Sequence, residues 1–316
     1  MKDKENIKDS LKAFRDMFPD TDEGQSKFMD GYFYAADDKT YIYHMVRNPK
    51  KQSKGLVYPE GVDPKYDQLV QAMVNHIKPK MVDPDTNVYH GKVMRLNDTK
   101  KILSLDVDLD LGTLDKSIIP FEHCRDVIFK NPDKIVVIDC ACKSTREDGC
   151  YPRDTCIWIG EPFYSFILDH NTTGHPRSIT PEEAIAIIEA ERDRGHMQSA
   201  FFKDAMGDRL YCICNCCSCC CNAIKAQNYS TIPTLIPSGY VRDVDNSQCK
   251  GCGTCVSACN FFALSLVDDK AVVDQSKCMG CGLCEEKCPN GAITIKRDPS
   301  KTEPLDLDEL RQKYQK

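Results

Sequence analysis

The chain has 316 residues, a length that suits about two domains, and its 41% hydrophobic content allows a packed core. A net charge of −6 argues against a general nucleic-acid binder. No stretch approaches the run of about eighteen apolar residues that a membrane span needs, and the charged start "MKDKENIKDSLKAFRDMF" lacks an apolar signal core, so a cytoplasmic protein without a membrane span is expected.

Residues 1–115 read as an α+β region of unassigned role. A helix is predicted over 6–18, with Ile7, Leu11, Phe14 and Phe18 on one side, and a second over 65–78, with Leu69, Met73 and His76 forming a face. Between them, "GYFYAADDKTYIYHMV" alternates aromatic residues and predicts a hairpin around "DDK". "NVYHGKVMRL" predicts a strand. The isolated His44, His76 and His90 are read as structural or surface residues. Residues 120–130, "PFEHCRDVIFK", are expected to be helical, with Cys124 a small buried apolar residue. "KIVVID" follows as a strand that ends on Cys140.

"ITPEEAIAIIEAERDRGH" predicts a capped helix, with Thr180 at the N-cap, Pro181 at N1, Glu183 completing a capping box and Gly195 as the stop. "MQSAFFKDAMGDRLYCIC" then reads as two strands around "DAMGD". A helix followed by a hairpin fits the end of a winged-helix-like unit, which raises a DNA-binding regulator as a minor alternative.

Twenty cysteines change the question. All but Cys124 lie from Cys140 onward. In a reducing compartment, grouped cysteines read as metal ligation or redox chemistry rather than disulfides. Residues 249–259 and 278–288 both read C-x-x-C-x-x-C-x-x-x-C, the second followed by Pro289. The segments 244–266 and 273–295 align without gaps, and ten of the 23 aligned pairs are identical, four of them cysteines. Three thiolates with two residues between neighbours wrap one side of a cubane, and the fourth cysteine of each run reaches the other cluster. Cluster 1 is therefore expected on Cys249, Cys252, Cys255 and Cys288, and cluster 2 on Cys278, Cys281, Cys284 and Cys259. Paired zinc sites fit less well, because zinc uses C-x₂₋₄-C units separated by a longer loop. This part resembles the bacterial-type two-cluster [4Fe-4S] ferredoxins over about residues 240–297. It departs from their pattern at Asn260, where a proline would follow the fourth cysteine.

A second set, Cys140, Cys142, Cys150 and Cys156, has no ferredoxin spacing. It precedes "CICNCCSCCC", which puts seven cysteines into positions 212–221. Cys212 and Cys214 should share a strand face. If the block is helical, Cys216 pairs with Cys220 and Cys217 with Cys221. The expectation is at least one further iron–sulfur cluster held by Cys140, Cys142, Cys150 and Cys156 with some of Cys214, Cys216, Cys217, Cys220 and Cys221; a zinc site is the alternative. With "DTCIWIG", "TPEEAI" and "CNCCSCCC", residues 115–297 resemble an uncharacterised group of cysteine-rich ferredoxin-like proteins of anaerobes.

The expected architecture is multidomain α+β: residues 1–115, a cysteine-rich α+β middle domain over 116–238, a two-cluster ferredoxin-like domain over 239–298, and a charged C-terminal tail over 299–316. The expected function is electron transfer to or from a redox partner such as a flavoprotein, a hydrogenase or a dehydrogenase. The rival is an iron–sulfur reductase with a catalytic cluster in the middle domain. No P-loop and no dinucleotide-binding glycine motif is present. His170, His175 and His196 flank the cysteines and are read as surface residues before they are read as ligands.

Overall fold

The computed structural model describes residues 8–47, 55–82, 88–230 and 232–314. Helices α1 (Asp9–Arg15), α2 (Asp22–Ala36), α3 (Asp38–Val46) and α4 (Pro64–Val82) open the chain. There follow β1 (Tyr89–Met94), α5 (Leu96–Leu103), β2 (Leu109–Thr113), β3 (Asp126–Asp139), α6 (Ala141–Ser144), β4 (Asp154–Glu161), α7 (Phe163–His170), β5 (Arg177–Ile179) and α8 (Pro181–Asp193). Next come β6 (Met197–Lys203), β7 (Arg209–Cys216), α9 (Asn222–Tyr229) and β8 (Leu235–Ile236). The C-terminal part holds β9 (Tyr240–Val244), α10 (Thr254–Ser257), β10 (Leu264–Val267), β11 (Lys270–Val273), α11 (Leu283–Glu286), β12 (Ile293–Arg297) and α12 (Leu307–Tyr314).

The α+β class expected from sequence holds. One sheet runs β2-β3-β4-β7-β6-β1-β8, with β5 paired to β3, and β1 pairs antiparallel with β6 and parallel with β8. Strands from either side of position 115 therefore share one sheet. Alternation along the strands sorts its two faces. Val137, Ile157 and Ile213 join a core under α5, α8 and α12, with Leu103, Ile188 and Leu310. Val136, Trp158, Cys212 and Cys216 face the opposite core, with Phe14, Ala35 and Phe166 from the first helices and α7. Cys214 packs on this second side too, so β7 presents three thiols to one face.

Several expectations change. The segment read as a hairpin around "DDK" is α2 followed by α3. Asp37 ends the first helix and caps the second, its carboxylate accepting from Thr40 N at 3.1 Å. Phe33 and Tyr41 are buried against α4 while Tyr34 packs toward Trp158 and Tyr211. Helices buried on two sides lose the one-face period, and their aromatic residues imitate strand alternation. Residues 120–130 are not helical. Cys124 sits at φ 58°, and β3 begins at Asp126, in keeping with its β-branched content. Cys124 is buried, as expected.

The helix read over 65–78 buries Val70, Val74 and Ile77 rather than Leu69 and His76, which are exposed. Phe14 and Phe18 are buried as expected, and Ile7 lies outside the described residues. The capped helix is found as α8, with Thr180 Oγ1 accepting from Glu183 N at 3.2 Å and Gly195 at φ 88°. Glu183 bonds Arg177, so only the threonine half of the capping box forms. The β6–β7 hairpin lies inside the sheet between β4 and β1, and every β6 residue is buried, so it is no projecting wing.

The segment read as a charged tail over 299–316 carries apolar residues that pack. Leu305, Leu307 and Leu310 belong to the first core, and the buried Lys92 Nζ donates to Ile118 O, Thr302 Oγ1 and Glu303 O. Among the described residues, no helix is long and apolar enough to cross a membrane.

One buried carboxyl in this region gives a pH test. Burial, reinforced by Asp306, pushes Asp98 up to about 6. The native state then holds a proton that the unfolded chain releases near 4, so this group loses stability as pH rises from about 4 to 6. Asp98→Asn should raise the unfolding midpoint at pH 8, corresponding to roughly 1–2 kcal/mol, and the gain should shrink at pH 5. A gain that grows toward low pH would contradict the assignment.

Candidate metal centres

The repeat read in the sequence is also a repeat in space. Gly251 and Gly280 take φ 65° and 67°, and Gly253 and Gly282 cap α10 and α11 at φ 76° and 82°. A Cβ at Gly251 would lie 2.4 Å from Asp269 O, and at Gly280 2.0 Å from Tyr240 O, so both positions need glycine. Ala263 N donates to Cys259 Sγ at 3.4 Å, and 29 residues on Ala292 N donates to Cys288 Sγ at 3.3 Å. Two antiparallel pairs, β10–β11 and β9–β12, frame the unit.

Two small cavities lie inside it. Cys249, Cys252, Cys255 and Cys288 line one, and Cys259, Cys278, Cys281 and Cys284 line the other. The fourth cysteine of each run thus crosses to the partner cavity, the grouping expected from the spacing. The two environments differ. Backbone N–H groups of Gly251 and Ala271 hold Cys249 below the usual thiol range, Thr254 does the same for Cys252, and Cys252 is exposed. Burial instead pushes Cys281 up to about 11, and Cys284 higher still.

Arg242 lines the second cavity and is almost fully buried. Its Nη2 reaches Ala271 O at 3.5 Å, while Nε and Nη1 have no hydrogen-bond partner. Its charge acts on Cys255 of the first quartet and Cys284 of the second. An orphaned buried guanidinium beside eight thiols is costly unless anionic groups accompany it. Thiolate-bound iron–sulfur clusters supply that charge, so these residues fit the cofactor that their spacing implies.

The middle cysteines form two assemblies. In the first, Cys150, Cys217, Cys219 and Cys220 bring all four Sγ atoms within 4.8 Å of one another. In the second, Cys156, Cys212 and Cys214 do the same, with Cys212–Cys214 at 3.6 Å and Cys156–Cys214 at 4.0 Å. The second continues as a chain of thiol contacts from Cys214 to Cys216, Cys221, Cys142 and Cys140. Burial pushes Cys212 up. A neighbouring thiol raises Cys140 (from Cys142), Cys214 (from Cys156) and Cys216 (from Cys214). Seven buried or half-buried thiols in contact cannot all ionise unless a cation joins them, and an all-sulfur donor set selects soft metals. A cavity of about 190 Å³ opens beside this chain. Its walls hold Cys140, Cys142, Cys214, Cys216 and Cys221, faced by Tyr34, Tyr89 and Phe201.

Residues 217–220 form a turn and Cys221 is the N-cap of α9, so the helical pairing of Cys216 with Cys220 and of Cys217 with Cys221 is not found. The strand pairing of Cys212 with Cys214 is. Cys212 and Cys219 were absent from the expected ligands, yet each completes an assembly. None of His44, His76, His90, His170, His175 or His196 belongs to either group. His44 bonds Asp67, His175 bonds Asp139 and His196 bonds Glu191.

Two polar links join the C-terminal unit to the block. Asn260, which stands where the resemblance leads one to expect proline, accepts from Ser218 N at 2.8 Å and donates to Gly195 O at 2.9 Å. It is therefore a bridge from the residue after Cys259 to the residue between Cys217 and Cys219. Arg192 donates to Cys281 O through both Nη atoms at 3.0 Å and pairs with Glu286. The link continues through Gln198 to Asn215 of β7, with Gln198 Nε2–Asn215 Oδ1 at 2.8 Å. Phe261 and Met279 also share a core with Cys212 and Cys221. Asn260→Ala should lower stability by about 1–3 kcal/mol, because it strands the half-buried Ser218 N–H and Gly195 carbonyl. Anaerobic thermal unfolding followed by circular dichroism reads this loss, and an unchanged midpoint would refute the bridge.

A family model for a 4Fe-4S binding domain matches residues 271–294, the segment that contains Cys278, Cys281, Cys284 and Cys288. No curated protein matches the chain. The family match and the clustered cysteines together support an iron–sulfur protein with a C-terminal ferredoxin-like motif.

Proposed function

We propose that the protein is an iron–sulfur electron carrier with three thiol-bound stations in a fixed order. The observation that carries this reading is the link from the second ferredoxin-type quartet to the thiol chain: Arg192 donates to Cys281 O and, through Gln198, reaches Asn215 between Cys214 and Cys216, while Phe261 and Met279 pack in one core with Cys212 and Cys221. Cys249, Cys252, Cys255 and Cys288 would hold one [4Fe-4S] cluster and Cys259, Cys278, Cys281 and Cys284 a second. Cys140, Cys142, Cys156, Cys212, Cys214, Cys216 and Cys221 would hold at least one more iron–sulfur centre. When bound, each cluster accepts and returns one electron at a potential set by burial and by hydrogen bonds to sulfur.

The chain's own residues define the direction. Cys252 is exposed and lies beside the exposed apolar residue Leu266, so the first quartet is the end that meets a redox partner such as a flavoprotein, hydrogenase or dehydrogenase. In the second quartet burial raises Cys281 and Cys284, and Cys259 and Cys281 pack against the core shared with β7. The acidic net charge suits docking to a basic patch. EPR-monitored titration of the anaerobic full-length protein tests the reading. It should show reversible one-electron steps from two interacting clusters, and Cys281→Ser should remove one of them. A single isolated signal that Cys281→Ser leaves unchanged would refute it.

The cavity favours a second reading, an iron–sulfur reductase. It is lined by aromatic and aliphatic side chains as well as thiols, as a site for a small apolar substrate would be. Reoxidation of the reduced protein by an added substrate in catalytic turnover would select this reading over simple carriage.

A further inference from the structure

We propose that Cys150, Cys217, Cys219 and Cys220 bind a single tetrahedral divalent ion of the zinc class, separate from every iron site. The distances carry this. Cys150 Sγ lies 3.1 Å from Cys219, 3.5 Å from Cys220 and 4.0 Å from Cys217, while Cys219 lies 3.0 Å from Cys217 and 3.7 Å from Cys220. Four sulfurs bound to one zinc at about 2.3 Å form a tetrahedron with edges of about 3.8 Å. A cubane holds its thiolates on separate iron corners, further apart than a single ion does.

The molecule contains its own control. The two ferredoxin-type quartets, which have cubane spacing in sequence, surround cavities, and among the described residues neither brings its sulfurs within 4.8 Å of one another. The Cys150 quartet does, and among the described residues it is the tight group that offers four ligands; Cys156, Cys212 and Cys214 are as close together but number three and run on into further thiols at Cys216 and Cys221. Its donor set is four thiolates with no nitrogen or carboxylate, a closed shell of the kind structural zinc takes, and zinc outranks ferrous iron for such ligands.

The surroundings hold the ligands in place. Cys150 N donates to Cys220 Sγ at 3.3 Å. Arg146 Nε donates to Cys220 O at 3.1 Å and its Nη2 to Asn222 Oδ1 at 2.7 Å. Such outer contacts fix ligand orientation. The ion would clamp the loop carrying Cys150 to the turn 217–220. Cys217 and Cys220 also line the 190 Å³ cavity, so the clamp forms one wall of the neighbouring site. It also takes Cys150, Cys217 and Cys220 out of the ligand set that the sequence assigns to an extra cluster.

Zinc and iron counted per chain, with zinc-edge X-ray absorption on full-length protein purified anaerobically without added metal, test the proposal. About one zinc per chain with four sulfurs at about 2.3 Å is expected. Cys219 is exposed, so Cys219→Ser should fold. It should lose zinc at least fivefold while iron content and the ferredoxin-type EPR signals stay unchanged, and Cys219→His should keep zinc with three sulfurs and one nitrogen. Wild-type protein without zinc, zinc in another shell, iron lost in place of zinc, or a Cys150–Cys219 disulfide found by alkylation would each overturn it. None of these outcomes bears on the two ferredoxin-type quartets, so failure here is distinguishable from failure of the carrier reading.

Discussion

Replacing Glu191 by alanine should cost about 3–5 kcal/mol, the range for removing one partner of a buried ion pair. Glu191 and Lys143 are 0% and 1% exposed, and Lys143 Nζ donates to Glu191 Oε2 at 2.8 Å. The same carboxylate accepts from His196 Nδ1 at 2.5 Å and pairs with Arg194 at 3.1 Å. Removing it leaves the buried Lys143 ammonium on the Pro152 carbonyl alone among the described residues. Lys143 follows Cys142 in α6, so the loss should also loosen the end of the thiol chain. The expected result is a lower anaerobic unfolding midpoint together with release of iron from the middle site, while the ferredoxin-type EPR signals persist. A double variant, Lys143→Met with Glu191→Leu, removes both charges and should recover most of the loss. If the single variant costs less than about 1 kcal/mol, the pair is not structural in the way described.

Arg242→Met should lower the reduction potential of both clusters proposed for the ferredoxin-type quartets. The guanidinium is buried, has two nitrogens without partners and acts on thiols of both quartets. A positive charge favours the more negative, reduced state, so its removal makes reduction harder. A unit charge several ångströms away, at an effective dielectric near 20, is worth roughly 2 kcal/mol. For a one-electron couple this is a fall on the order of 80 mV. Arg242→Lys should fall less, because it keeps the charge. Potentiometric EPR titration reads the shift, and an unchanged or raised potential would show that Arg242 does not compensate cluster charge.

What the sequence made legible was chemistry with local spacing. The two C-x-x-C-x-x-C-x-x-x-C runs showed both the repeat and the crossing of the fourth cysteine, because each ligand lies a few residues from its neighbours. Strand alternation likewise placed Cys212 and Cys214 on one face. What it hid depended on the rest of the chain. Cys150 meets Cys219 only because its loop folds back across the block, and nothing within 30 residues of either signals the other. Asn260 stands in the sequence only as a departure from the ferredoxin pattern; its partners Ser218 and Gly195 come from distant parts of the chain. The aromatic segment through Tyr34 and Tyr41 imitated a strand because both sides of its helices are buried. Domain boundaries drawn from the step in cysteine content missed that β1 and β2 complete the sheet carrying the thiols.

The most direct test of the central proposal, that iron–sulfur centres occupy both ferredoxin-type quartets and the seven-thiol chain, is the amount of iron and acid-labile sulfide per chain in anaerobically purified protein. The prediction is about twelve or more irons with matching sulfide, two cubanes accounting for about eight. About eight irons, or fewer, would contradict it and leave the middle thiols without a cluster.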